Sequence, residues 1–108
     1  MMAFPFSIQW REEPTLDVPC QLMVVAPKRR FHNAVDRNRV KRLVRESYRH
    51  LKPQLYATLQ QHDIRLTLSM VYVCNEILSY DKIYQKTEKA LAMLVKDIEA
   101  HEQAAADK

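Results

Sequence analysis

Residues 20–49 read Cys20-Gln21-Leu22-Met23-Val24-Val25-Ala26-Pro27-Lys28-Arg29-Arg30-Phe31-His32-Asn33-Ala34-Val35-Asp36-Arg37-Asn38-Arg39-Val40-Lys41-Arg42-Leu43-Val44-Arg45-Glu46-Ser47-Tyr48-Arg49. The change of period inside this stretch decides the fold. Cys20, Leu22, Val24 and Ala26 are apolar on one alternation, and Met23 and Val25 on the other. That pattern predicts a strand buried on both faces and central in its sheet. Pro27 stops the strand, and Asn33 can cap a helix, with Asp36 at the third position after it in the manner of a capping box. Val40, Leu43, Val44, Ser47 and Leu51 then recur at helical spacing as a narrow apolar stripe. Pro53 is expected to end or kink this helix, with Gln54 to Gln61 adding a short further helical segment.

On the amino-terminal side, Phe4, Phe6, Ile8 and Trp10 alternate with Pro5, Ser7 and Gln9, which predicts a strand with one apolar face. Pro5 cannot donate to a ladder and belongs at the strand's start or on an edge. On the carboxyl-terminal side, Ile64, Leu66, Leu68, Met70, Tyr72 and Cys74 share one face of a long alternation, a third strand. Ser79 can cap a last helix whose core stripe is Ile83, Thr87, Leu91, Leu94 and Ile98, and residues 101–108 read as a frayed tail. The order β-β-α-(α)-β-α indicates an α+β fold in which helices cover a small sheet of about three to four strands. With 108 residues the chain reads as one domain, residues 1–108.

Composition narrows the chemistry. The chain contains no glycine, which excludes the loops that cradle phosphates in Walker A and dinucleotide-binding motifs. Two cysteines, Cys20 and Cys74, cannot build a disulfide framework or a four-thiolate zinc site. They lie in apolar alternations and read as small core residues. His32, His50, His62 and His101 are scattered without ligand spacing, so no metal site is expected. The sequence lacks an apolar run long enough to span a bilayer and lacks a secretory leader pattern, which points to a reduced, cytoplasmic protein.

Charge is concentrated rather than spread. Between Lys28 and Lys52 stand ten of the seventeen Lys and Arg residues and only two acids, Asp36 and Glu46, so this window carries +8 while the rest of the chain carries −4. On a helix, Lys41, Arg42, Arg45, Arg49 and Lys52 fall within about a 100° arc opposite the apolar stripe. Arg37, Lys41, Arg45 and Arg49 form a row of like charge at i, i+4 spacing. Such pairs destabilise an isolated helix by a few tenths of a kcal/mol each. Guanidinium groups grip phosphates with paired hydrogen bonds. A polyanionic partner is the economical explanation of the row.

The run Asn33-Ala34-Val35-Asp36-Arg37-Asn38-Arg39-Val40-Lys41-Arg42, continuing to Arg45-Glu46 and Tyr48-Arg49 and preceded by Lys28-Arg29-Arg30, closely resembles the signature of the bacterial ribonuclease P protein component. Weaker agreement extends from Phe4 through the last helix. The resemblance implies a protein subunit that binds a catalytic RNA and assists endonucleolytic removal of the 5′ leader from precursor tRNA. It places the catalytic centre and its Mg2+ in the RNA, with no catalytic residue in this chain. It assigns RNA binding to Lys28, Arg29, Arg30, Arg37, Asn38, Arg39, Lys41, Arg42, Arg45 and Arg49. It also implies a sandwich with a left-handed βαβ crossover, and a family helix ahead of the first strand that this sequence lacks. Where the family carries a glycine before Asn-Ala-Val, His32 stands here.

For the leader itself the candidates are Phe6, Ile8 and Arg65. Phe6 and Ile8 read first as part of a core-facing stripe and second as a platform for stacked bases. Arg65 would line a cleft beside the last strand.

Three other readings are weighed. A general nucleic-acid module, including one that lays the helix into a DNA groove, lacks a second helix at helix-turn-helix spacing. A membrane-surface helix lacks aromatic anchors on its apolar stripe. A self-sufficient protein nuclease lacks a nucleophile-base or paired-carboxylate constellation. The partners that the resemblance implies are the catalytic RNA and precursor tRNA, and neither DNA nor a membrane is expected.

Overall fold

The structure, a computed structural model, describes residues 1–106. The elements run β1 (Met2–Ala3), β2 (Phe6–Glu12), β3 (Cys20–Val25), α1 (Ala34–Gln61), β4 (Leu66–Tyr72) and α2 (Tyr80–Ala106). The four strands form one sheet in the order β1-β2-β4-β3. β2 pairs antiparallel with β1 and with β4, whereas β3 and β4 pair in parallel across the crossover helix α1. The α+β class is therefore as expected, with one short extra strand at the amino terminus.

The position of β3 corrects the sequence reading. β4, not β3, lies in the interior of the sheet, and β3 is an edge strand. Its second alternation is open to solvent, with Met23 61% exposed. The apolar register Cys20, Leu22, Val24 faces the core under α1, but the hydrophobicity of the other register reflects no covering layer. Alternation reports which side chains are buried, not which strand is the neighbour.

α1 is a single helix of 28 residues, and Pro53 neither ends it nor separates a second segment. Its buried residues Val40, Val44, Ser47, Tyr48, Leu51, Leu55 and Leu59 keep helical spacing straight past the proline. Pro53 itself is exposed. The carbonyl it leaves without a donor is on the side that water can reach, and the continuous stripe on the other side holds the helix together.

The end of α1 shows how a chain without glycine makes a tight stop. Asp63 takes the left-handed conformation, φ 54°, that glycine usually fills. Its N–H bonds the Gln60 carbonyl at 3.2 Å, and the Ile64 N–H bonds the Leu59 carbonyl at 2.9 Å. Leu59 and Ile64 are both buried, completing the Schellman pattern with its apolar contact.

α2 runs on to Ala106, so the helix continues through His101, where the sequence reading began a frayed tail. Residues 107 and 108 of that tail lie outside the described residues. The core lies between one face of the sheet and the two helices, and Phe6, Ile8, Leu68, Met70, Val40, Val44, Ile83 and Leu94 are among its fully buried members.

Candidate nucleic-acid interface

α1 begins where the sequence places it. Asn33 has extended backbone and its side chain accepts a hydrogen bond from the Val35 N–H at 3.1 Å, satisfying one of the helix's free donors. Ahead of it, the Arg30 and Phe31 N–H groups both bond the Pro27 carbonyl, folding residues 27–31 into a turn. The Phe31 ring is buried and packs against Tyr72, 5.9 Å between centroids. Lys28 and Arg29 are exposed on this turn, immediately before the helix.

The ten candidate residues are not equivalent. Asn38, Arg39, Arg42 and Arg45 are exposed on α1, and Lys41 is half-buried at the border of the apolar stripe. Among the described residues, none of Lys28, Arg29, Arg39, Lys41, Arg42 and Arg45 has a carboxylate within ion-pair distance. Arg49, by contrast, is paired with Glu46: its Nη2 donates to Oε1 at 2.7 Å and its Nε to Oε2 at 3.3 Å. That pairing holds the Glu46 carboxyl below its usual range.

Arg37 and Arg30 are also committed within the protein. Arg37 Nη1 donates to the carbonyls of Phe31 at 2.9 Å and His32 at 3.0 Å. Arg30 Nη1 donates to Asn75 Oδ1 at 2.8 Å, bridging to the segment after β4. Asn75 has no place in the sequence reading, because a partner 45 positions away leaves no local pattern.

The residues considered for the leader do not come together. Phe6 is 0% exposed, edge-on to Tyr72 at 5.9 Å, and Ile8 is 1% exposed. Neither ring nor side chain is open for stacking, so their alternation belongs to the core. Arg65 precedes β4, at the end of that strand opposite Tyr72, and a seven-residue strand separates the two ends by roughly 23 Å. Its guanidinium donates to the Leu16 carbonyl and ties down the loop between β2 and β3. A groove of about 900 Å³ includes Ile8, at its floor, with Trp10, Leu22, Met23, Asp97 and Arg45 of α1 in its lining. Trp10 is held there by its indole N–H, which donates to Asp97 Oδ2 at 2.6 Å.

Behind the helix, the Tyr48 and Cys20 side chains lie together in the core. Burial pushes the phenol and the thiol above their usual ranges, which suits an inert packing role for Cys20. Among the described residues no three His, Cys, Asp or Glu side chains converge as metal ligands.

Fold and surface together define an α+β protein whose parallel crossover helix carries an uncompensated arginine face. A family model described as Ribonuclease P matches residues 3–96, and the chain belongs to the family of the ribonuclease P protein component. Proteins named "Ribonuclease P protein component" from two strains of Porphyromonas gingivalis are each 36% identical over 77 residues, which is 71% of this chain and 56% of theirs. The chain thus spans little more than half the length of these relatives. No solved structure matches it significantly.

Proposed function

We propose that the chain is the protein subunit of ribonuclease P, binding the catalytic RNA and assisting endonucleolytic removal of the 5′ leader from precursor tRNA. The observation that carries this reading is the exposed row Arg39, Arg42 and Arg45, free of acidic partners among the described residues, on a capped helix in a chain of this family. Planar guanidinium groups at a fixed spacing suit the phosphates of folded RNA, whose backbone and shape are more accessible than its base edges. In this reading Mg2+ and the cleavage chemistry belong to the RNA, and the protein contributes cations and position. Among the described residues no helix is long and apolar enough to cross a membrane, and a cytoplasmic location follows from the proposed substrate.

The test is reconstitution. The purified chain, mixed with its cognate catalytic RNA, is expected to stimulate precursor tRNA cleavage at low magnesium. Binding without stimulation would leave the helix as an RNA dock and remove the role in leader processing. No binding by folded protein would overturn the proposal. Equal affinity for duplex DNA would favour a general nucleic-acid module.

A further inference from the structure

Resting on the function proposed above, we infer that Arg37 is a positioning residue that joins the cationic turn to the cationic helix. An arginine Nη carries two hydrogens, and Arg37 uses both hydrogens of Nη1 on consecutive carbonyls, Phe31 at 2.9 Å and His32 at 3.0 Å. Arg37 is half-buried, unlike Arg39, Arg42 and Arg45. The two carbonyls it holds follow directly on Lys28, Arg29 and Arg30, in the segment that a glycine-free chain must turn without a positive φ among its described residues other than that of Asp63.

The geometry has a clear mechanical reading. The turn is attached to the body at three points. The Phe31 ring enters the core, Arg30 bonds Asn75, and Arg37 reaches back from the first turn of α1. The first two points hold the turn to the sheet end, and among the described residues Arg37 is the side chain that hydrogen-bonds it to the helix. Lys28 and Arg29, which have no acidic partner among the described residues, are thereby presented as an extension of the row Arg39, Arg42 and Arg45. A rigid array keeps its charges at one spacing before the partner arrives, so less ordering is needed on binding.

Two measurements on the full chain decide this. In free protein, Arg37→Ala is expected to shift the amide resonances of His32 and Asn33, whose peptide carbonyls it holds, and to speed hydrogen exchange over residues 28–33. Arg37→Lys should restore them in part, and Arg39→Ala should leave them alone. Unchanged resonances in Arg37→Ala would overturn the inference.

With a transcribed bacterial ribonuclease P RNA, the double variant Lys28→Ala/Arg29→Ala is expected to flatten the slope of log affinity against log salt by roughly 1.4–1.8, the release expected for two phosphate contacts. Arg37→Ala alone should lower affinity about tenfold, and adding it to the double variant should cost less than about twofold more, because the residues act as one unit. Multiplying effects would show Arg37 gripping phosphate by itself and overturn the inference. Failure of the wild-type chain to bind this RNA would instead overturn the function proposed above. The resonances, read without RNA, would then still decide whether Arg37 holds the turn.

Discussion

Helices α1 and α2 have nearly the same length, 28 and 27 residues, and both pack on the sheet and on each other. Each carries a stripe of buried residues, Val40, Val44, Leu51, Leu55 and Leu59 in one, Ile83, Leu91, Leu94 and Ile98 in the other. Their outer faces differ. α1 carries seven Lys and Arg against two acids, and α2 carries four against five. α2 therefore has the interspersed charge of an ordinary solvated helix, while α1 exposes Arg39, Arg42 and Arg45 with no acidic partner among the described residues. Two helices with the same packing task and opposite charge habits separate what the fold requires from what the surface is for.

The comparison can be broken most severely from the inside. Leu94→Ala in α2 removes a fully buried side chain and is expected to lower unfolding stability by about 2–5 kcal/mol, as Leu55→Ala in α1 is, measured by urea denaturation. Equal costs in the two helices would show that their core faces are interchangeable. A negligible cost at Leu94 would contradict its burial.

The outer faces should answer differently. Replacing Arg39, Arg42 and Arg45 together by alanine is expected to lower RNA affinity on the order of a hundredfold while leaving the unfolding midpoint nearly unchanged. The matching triple on α2, Lys82, Lys86 and Lys89 to alanine, is expected to change affinity by less than about threefold in a filter-binding assay, as for solvated charges far from the phosphates. Comparable losses from both triples would mean that net charge, and not the α1 face, binds the RNA.

The smallest effect sharpens the boundary between the helices. Tyr72, at the end of β4, donates to the Glu76 carbonyl at 2.7 Å and accepts from the Leu78 N–H at 3.2 Å, fixing the approach to α2. Burial pushes its phenol up to about 12 from an ordinary value of 10.0. The folded state therefore holds this proton more tightly than the unfolded state. The stabilisation is complete below pH 10 and is lost as pH rises towards 12. Thermal melts should fall across that window, with Tyr48, also raised by burial, adding to the fall. Tyr72→Phe should cost about 1 kcal/mol at neutral pH and make the alkaline fall shallower. An unchanged alkaline profile would remove Tyr72 from the account.

Local features of this fold were legible because they are written in local pattern. The Asn33 cap, the two-residue alternation of β2 and β4 and the arginine face of α1 each depend on neighbours a few positions apart. The edge position of β3 was not legible, since it is set by β4 entering between β2 and β3 from far along the chain. Pro53 misled because its effect depends on which side of the helix it occupies and on whether the stripe beyond it stays in phase. In the candidate site, the cationic residues were readable as a set, but their division was not. The commitments of Arg37 to Phe31 and His32, of Arg30 to Asn75 and of Arg65 to Leu16 are three-dimensional contacts of groups that look alike in sequence. Phe6 and Ile8 show the converse, because an alternating aromatic and aliphatic pattern is the same whether the covered face meets protein or a base.

The strand order has a consequence for how the molecule comes into being. β2 and β3 are both made early, yet they never touch as partners, because the place between them belongs to β4. Forty residues separate the end of β3 from the start of β4. While the chain emerges from the ribosome, the apolar faces of two strands and the stripe of α1 wait without the element that unites them. Pairing across such a separation is slow, since chain freedom is lost before contacts form. The nascent chain therefore passes through a stage that is sticky on one side and strongly cationic on the other, in surroundings made largely of RNA. The sheet closes last at its middle.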